Sequence, residues 1–151
     1  MKQSPNSTTT LALNIDRLMR RIHAELQPRA SEFDQYRVGP LGGMLLLTLG
    51  EREPADIQSV VEALGRDKSQ ISRLIQRYER QGLLVRQKSA QDGRVSLLRL
   101  TPAGRQQLEW IQEALAEVVG DIFAGLSREE RAAFSELLAR VLAGRGDSPE
   151  D

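Results

Sequence analysis

The sequence predicts a mainly α-helical fold with one small β-hairpin, and two observations predict it. Apolar residues recur at helical spacing along most of the 151-residue chain. Between residues 83 and 101 the period shortens to that of strands, around an Asp92-Gly93 pair that signals a hairpin. A third observation concerns charge: 21 basic and 21 acidic side chains cancel in sum but are unevenly placed. Residues 66–105 carry ten basic side chains against three acidic ones. Residues 106–151 carry four against ten. Such a chain attracts polyanions at one place and repels them elsewhere.

The elements follow in order. Residues 1–10 are polar and rich in Ser, Thr and Asn, and are expected to be a disordered tail. Leu11, Ile15, Leu18, Met19, Ile22 and Leu26 form one helical stripe, which Pro28 is expected to close. Residues 29–39 read as a connector. Pro40 suits the first turn of a buried helix carrying Leu41, Met44, Leu45, Leu47 and Leu49, expected to end at Gly50. Gly42 and Gly43 weaken that helix and point to close approach by another one. Pro54 opens a short helix with Asp56 in its first turn and Ile57, Val60, Val61 and Leu64 on one face. After a tight turn at Gly65, Asp67 and Gln70 form a capping-box pattern. Ile71, Leu74, Ile75 and Tyr78 then lie at offsets of a single buried face, and Gly82 is a left-handed stop.

Leu83–Lys88 and Val95–Thr101 are the two strand-like runs. Thr101 caps a helix whose first residue is Pro102, with a long stripe at Leu108, Ile111, Leu115, Val118, Val119 and Ile122. Ser127 and Glu130 form another capping box, ahead of Phe134, Leu137, Leu138, Val141 and Leu142. Residues 145–151 are expected to be a second disordered tail.

Composition excludes several kinds of chemistry. The chain has no cysteine, so disulfides, zinc–thiolate sites and thiol switches are impossible. His23 is the only histidine. No phosphate-binding loop, Gly-x-Ser-x-Gly elbow or HExxH is present, so no enzyme and no cofactor is expected. Glu109, Glu113 and Glu117 read as a solvated helix face that keeps phosphates away. The chain lacks a membrane-length apolar run and an apolar leader, and a cytoplasmic location is expected.

Two short helices joined by a tight Gly turn and followed by a hairpin are the plan of a winged helix-turn-helix. Opposite the buried row of the second helix lie Ser69, Arg73, Gln76 and Arg80, flanked by Ser72 and Arg77, with Lys68 and Gln70 in the first turn and no acid among them. Arginine reads guanine bidentately, glutamine reads adenine, and serine bonds bases or phosphates. The hairpin offers Arg86, Lys88, Gln91, Asp92 and Arg94, and a wing of this kind reaches phosphates or the minor groove. Asp92 can orient Arg94 through a carboxylate–guanidinium pair, or act only as turn chemistry. Double-stranded DNA is therefore the expected partner. The competing reading is a winged-helix module that binds protein and has no specific DNA site.

Residues 54–104 resemble the DNA-binding lobe of the MarR (multiple antibiotic resistance regulator) family. The resemblance rests on Asp67-Lys68-Ser69-Gln70-Ile71-Ser72-Arg73-Leu74-Ile75, Gln81-Gly82-Leu83-Leu84-Val85-Arg86, Asp92-Gly93-Arg94 and Leu98-Arg99-Leu100-Thr101-Pro102-Ala103-Gly104. It implies a recognition helix, a wing, and terminal helices interlocked in a homodimer. It also implies a transcriptional regulator, usually a repressor, that releases a pseudo-palindromic operator when a small aromatic or anionic ligand binds.

The apolar stripes support the dimer independently, since they exceed what one small winged domain can cover. The expected interface is Leu11, Ile15, Leu18 and Ile22 with Leu115, Val118, Val119, Ile122, Leu137, Leu138 and Val141. His23, Phe33, Tyr36 and Arg37 flank the first connector and are the candidates for a ligand pocket. The expected division is a dimer region over 11–40, a winged lobe over 41–104 and dimerisation helices over 105–144.

Overall fold

The structure, a computed structural model, describes residues 7–33 and 36–144, without the side chains of residues 30–33. Residues 1–6 and 145–151 of the two expected tails lie outside the described residues. Six helices and a three-stranded antiparallel sheet follow the order α1 (Ser7–Phe33), α2 (Gly39–Arg52), β1 (Ala55–Asp56), α3 (Ile57–Leu64), α4 (Lys68–Arg80), β2 (Leu84–Lys88), β3 (Ser96–Leu100), α5 (Pro102–Ile122) and α6 (Arg128–Ala143). The sheet order is β1-β3-β2, so β3 is the central strand.

α1 departs from expectation at both ends. It begins at Ser7, so residues 7–10 are helical and not a loose tail. Adding a turn to an existing helix needs no new nucleus. Pro28 does not close the helix but lies inside it. A proline ring removes one backbone bond and crowds the preceding turn. Here packing against α5 carries the helix past it. Arg29, one residue on, pairs with Glu117 at 2.6 Å and with Asp121 at 2.8 Å. Glu117 stays on the solvated face and in addition tethers α5 to α1.

α2 likewise runs through Gly50, the expected stop, to Arg52. Gly50 lies where an added Cβ would come within 2.5 Å of Leu108 Cδ2, so it admits α5. Gly42 has the same meaning for α4, because a Cβ there would lie 1.7 Å from the Tyr78 hydroxyl. Gly43 is not needed in that way: its nearest neighbour is Ile111 at 3.9 Å, an ordinary contact.

Asp56 is the cap of α3, not a member of its first turn, and accepts the Ser59 N–H at 2.8 Å. Pro54 precedes it, and Ala55–Asp56 form a two-residue strand opposite Leu97 and Leu98. That pairing turns the expected hairpin into a three-stranded sheet. Leu98 and Leu100 of β3 face inward as the alternation requires, at 0% and 5% exposure.

The core joins Leu45, Leu46 and Leu49 of α2 with Val60, Ile71, Ile75, Tyr78, Leu83, Leu84 and Leu98. These residues come from three helices, the strand roots and one strand face, so the lobe is a single packed unit. Thr101 accepts the Gly104 N–H, and Ser127 and Glu130 complete the capping box of α6. α6 itself has no buried residue.

Candidate nucleic-acid interface

α4 is positioned by local chemistry at both ends. Gly65 stops α3 in the left-handed region at φ 58°, and Asp67 starts α4 by accepting the Ser69 N–H at 2.6 Å. The Asp67 carboxylate caps through Ser69, and no reciprocal bond from Gln70 closes the expected box among the described residues. Hydrogen bonds from the Ser69 side chain and backbone hold the Asp67 carboxyl below its ordinary value. At the far end Gly82 takes φ 72°, and the Leu83 N–H returns to the Tyr78 carbonyl at 2.9 Å. This 6→1 bond turns the chain directly into β2.

Between these caps the buried row Ile71, Leu74, Ile75 and Tyr78 fixes the rotation of the helix about its axis. Lys68, Ser69, Gln70, Arg73, Gln76 and Arg77 consequently lie exposed, with Ser72 half-buried beside them. Arg77 is partly engaged: its guanidinium carbon lies 5.5 Å from the Tyr78 ring centroid, and Nη2 donates to the Arg37 carbonyl at 3.4 Å.

The C-terminal half of α4 also grips the connector after α1. Gln81 Nε2 donates to the Tyr36 carbonyl at 3.0 Å, and the buried Tyr78 hydroxyl donates to the Val38 carbonyl at 3.2 Å. With Arg77, three side chains of α4 and its cap hold three consecutive carbonyls. Sequence reasoning missed this clasp, since a backbone acceptor carries no residue signature.

In the wing, Lys88, Gln91, Asp92 and Arg94 are exposed. The tip is shaped by side-chain acceptors: Ser89 Oγ accepts the N–H groups of Gln91 and Asp92, and Asp92 Oδ1 accepts the Arg94 N–H at 3.0 Å. Asp92 is thus turn chemistry. It forms no ion pair with the Arg94 guanidinium among the described residues, because the carboxylate is taken by the backbone one step closer. Gly93 is not among the described glycines with positive φ, so Asp92-Gly93 is not a tight mirror-image turn.

Arg86 differs from the other wing candidates. Its Nε lies 2.9 Å from Glu79 Oε2, so it faces α4. Glu53, for which the sequence carries no signal, accepts the Leu100 N–H at 2.8 Å and pairs with Arg105, tying the end of α2 to β3 and α5.

The other candidates are distributed as follows. Leu11, Ile15, Leu137, Leu138 and Val141 are exposed, while Leu18, Ile22, Leu115, Val119 and Ile122 are half-buried. Val118 is fully buried within its own chain and is withdrawn from any interface, because packing of the helices around α5 already covers it. His23 and Arg37 are exposed and Tyr36 is half-buried, while the side chain of Phe33 lies outside the described residues. A surface depression lined by Pro102, Ala103, Arg105, Gln106 and Glu109 contains none of these four. No helix among the described residues is long and apolar enough to cross a membrane.

The fold and this surface define a winged helix-turn-helix protein with a basic, amide-bearing second helix. Comparison with known proteins gives the family. The sequence model of the MarR family matches residues 43–95. The chain is 34% identical over 98 residues to YxaD, an uncharacterised HTH-type transcriptional regulator of Bacillus subtilis, covering 65% of this chain and 68% of that one. The matches to three curated relatives span 57%, 68% and 52% of those proteins' lengths.

Among solved structures, the transcriptional repressor CouR bound to a 23-mer DNA duplex superposes with TM-score 0.69 at 22% identity, covering 94% of this chain and 99% of that one. Bordetella bronchiseptica BpsR, whose DNA binding is regulated by 6-hydroxynicotinic acid, superposes with TM-score 0.69 at 22% identity, covering 92% and 97%. At these identities the likeness is one of fold. The chain belongs to the MarR family, a family of transcriptional regulators and not of enzymes.

Proposed function

We propose that this chain is a sequence-specific regulator that binds double-stranded DNA as a homodimer on a pseudo-palindromic operator, and acts as a repressor. The observation that carries the reading is the outer face of α4. Cations and amides are exposed there without an acid, on a helix whose rotation is locked by four buried residues. Such a face suits the major groove, where Arg73 can read guanine and Gln76 adenine, with Ser69 beside them. Lys68, Gln70, Ser72 and Arg77 surround this reading face. Lys88, Gln91 and Arg94 in the wing supply phosphate or minor-groove contacts. The DNA-bound state of CouR supports this use of the fold.

The two-fold arrangement follows from the terminal helices. Residues 11–40 and 105–144 supply the dimer region, and residues 41–104 the DNA-binding lobe. A C2 pair presents two copies of α4 to successive major grooves. Release by a small aromatic acid is supported by BpsR, and it requires the ligand to favour the conformer that does not fit DNA.

Selection of bound duplexes from a random pool tests the reading. One enriched, two-fold symmetric site is expected. Against that site, Arg73→Ala is expected to cost about 1–3 kcal/mol and to relax preference at one position per half-site. Lys88→Ala should weaken all sequences evenly and reduce the salt slope by about 0.9 for each phosphate no longer neutralised. Retention on heparin without any enriched sequence would instead identify a protein-interaction module. Titration of the complex with 6-hydroxynicotinate and related phenolic acids tests release, and DNA occupancy unchanged by all of them would end the effector reading.

A further inference from the structure

Glu79 is the only acid of α4, in the middle of the basic stretch of the chain. As a bare charge it opposes a polyanionic partner. Its position says more. Glu79 Oε2 lies 2.9 Å from Arg86 Nε, and the two side chains are 29% and 32% exposed. Among the described residues this is the only ion pair joining the wing to α4.

The wing needs such a link. Leu83 and Leu84 are buried at the root of β2, but Val85, Arg86, Gln87 and Lys88 are exposed. Beyond the root, β2 is held by its ladder to β3, and Arg99 bonds Gln87 across that ladder at 2.9 Å. Those bonds hold β2 to β3, whose Leu98 and Leu100 are seated in the core, but among the described residues no other side-chain bond joins β2 itself to α4.

We propose that Glu79 and Arg86 form a brace that sets the wing's angle to the reading helix, so that both are positioning residues for DNA recognition. Arg86 thereby ceases to be a phosphate contact. The brace places the wing tip and the face of Arg73 and Gln76 at one fixed separation along the duplex. This inference rests on the DNA-binding reading above, and it makes a prediction opposite in sign to simple charge counting. Removing an acid from a basic surface should tighten DNA binding. Removing half of a brace should weaken binding to the specific site.

The test combines hydrogen exchange on the free protein with binding to the selected duplex and to a random one. Glu79→Gln is expected to speed exchange of the amides of β2 and β3, leaving α4 protected. Its affinity for the selected site should fall about fivefold or more, while affinity for the random duplex is unchanged or higher. Arg86→Gln should give a similar loss without lowering the salt slope, unlike Lys88→Ala. The exchanged pair, Glu79→Arg with Arg86→Glu, should restore protection of the wing.

The brace is overturned by unchanged wing exchange in Glu79→Gln, by tighter binding of that variant to the selected site, by a salt slope lowered in Arg86→Gln, or by an exchanged pair left unprotected. Absence of any selected duplex for the unaltered protein would instead remove the DNA-binding reading, with the exchange measurements still deciding whether the brace exists.

Discussion

Replacing Gly104 by alanine is expected to destabilise the lobe by about 3 kcal/mol or more, the upper part of the range for overpacking. Gly104 is in the first turn of α5, and a Cβ there would lie 1.9 Å from the Leu83 carbonyl oxygen. The obstacle is backbone and not the free end of a side chain, so it cannot rotate away. That same carbonyl accepts the Thr101 N–H at 3.1 Å, and Leu83 itself is fully buried after the C-terminal stop of α4. Relief requires α5 to move from the root of the wing, breaking the Thr101 cap with it. For a domain of this size the loss corresponds to a melting temperature lower by roughly 6–12 °C. Gly43→Ala provides the contrast: its Cβ meets only an ordinary contact, so it should stabilise the mid-helix by about 0.5–1 kcal/mol. A Gly104→Ala melting curve within two degrees (roughly 1 kcal/mol or less) of the unaltered protein would refute the packing argument.

The second large effect concerns assembly. Leu137, Leu138, Val141 and Leu142 of α6 are 56%, 46%, 73% and 79% exposed, and Leu11, Ile15 and Met19 of α1 are 59%, 50% and 53% exposed. Each such side chain gains about 1.5–3 kcal/mol from full burial, so two apolar faces at the chain's ends favour association strongly. A second copy would satisfy both faces by symmetry. Light scattering after gel filtration should therefore give the mass of two chains at micromolar concentration. Leu137→Asp with Val141→Asp should give the mass of one. Because no residue of α6 is buried in its own chain, the lobe should keep its circular dichroism. Affinity for the selected operator should fall about 10²–10⁴-fold, since two linked half-sites become two independent ones. A single-chain mass for the unaltered protein, or an assembly insensitive to the double substitution, would exclude this interface.

Much of the fold was legible in the sequence because its signals act within a few residues. Gly65, Asp67, Gly82, Thr101 and the Ser127–Glu130 box all cap or turn the chain where the sequence places them, through bonds to neighbours two to five positions away. The buried face of α4 was equally readable, because 3.6-residue periodicity alone determines which side chains share a side. Other expectations failed where a partner arrives from afar. Pro28 and Gly50 look like helix ends, but α5 lies against both helices and sustains them. Asp92 is the opposite case, where a local group decides: the Arg94 backbone N–H, nearer than its side chain, takes the carboxylate.

The sequence by itself determined the existence and order of the helices, the hairpin, most of the caps and the exposed basic face of the second helix of the motif. Each of these depends on propensity, periodicity or charge within one segment. Only the tertiary structure decided that Ala55–Asp56 complete a third strand, that Val118 is spent inside its own chain, that Gly104 must lack a side chain, and that Arg86 faces Glu79. In each case the deciding group lies on another element, and residue identity along the chain does not specify which distant atoms will meet it.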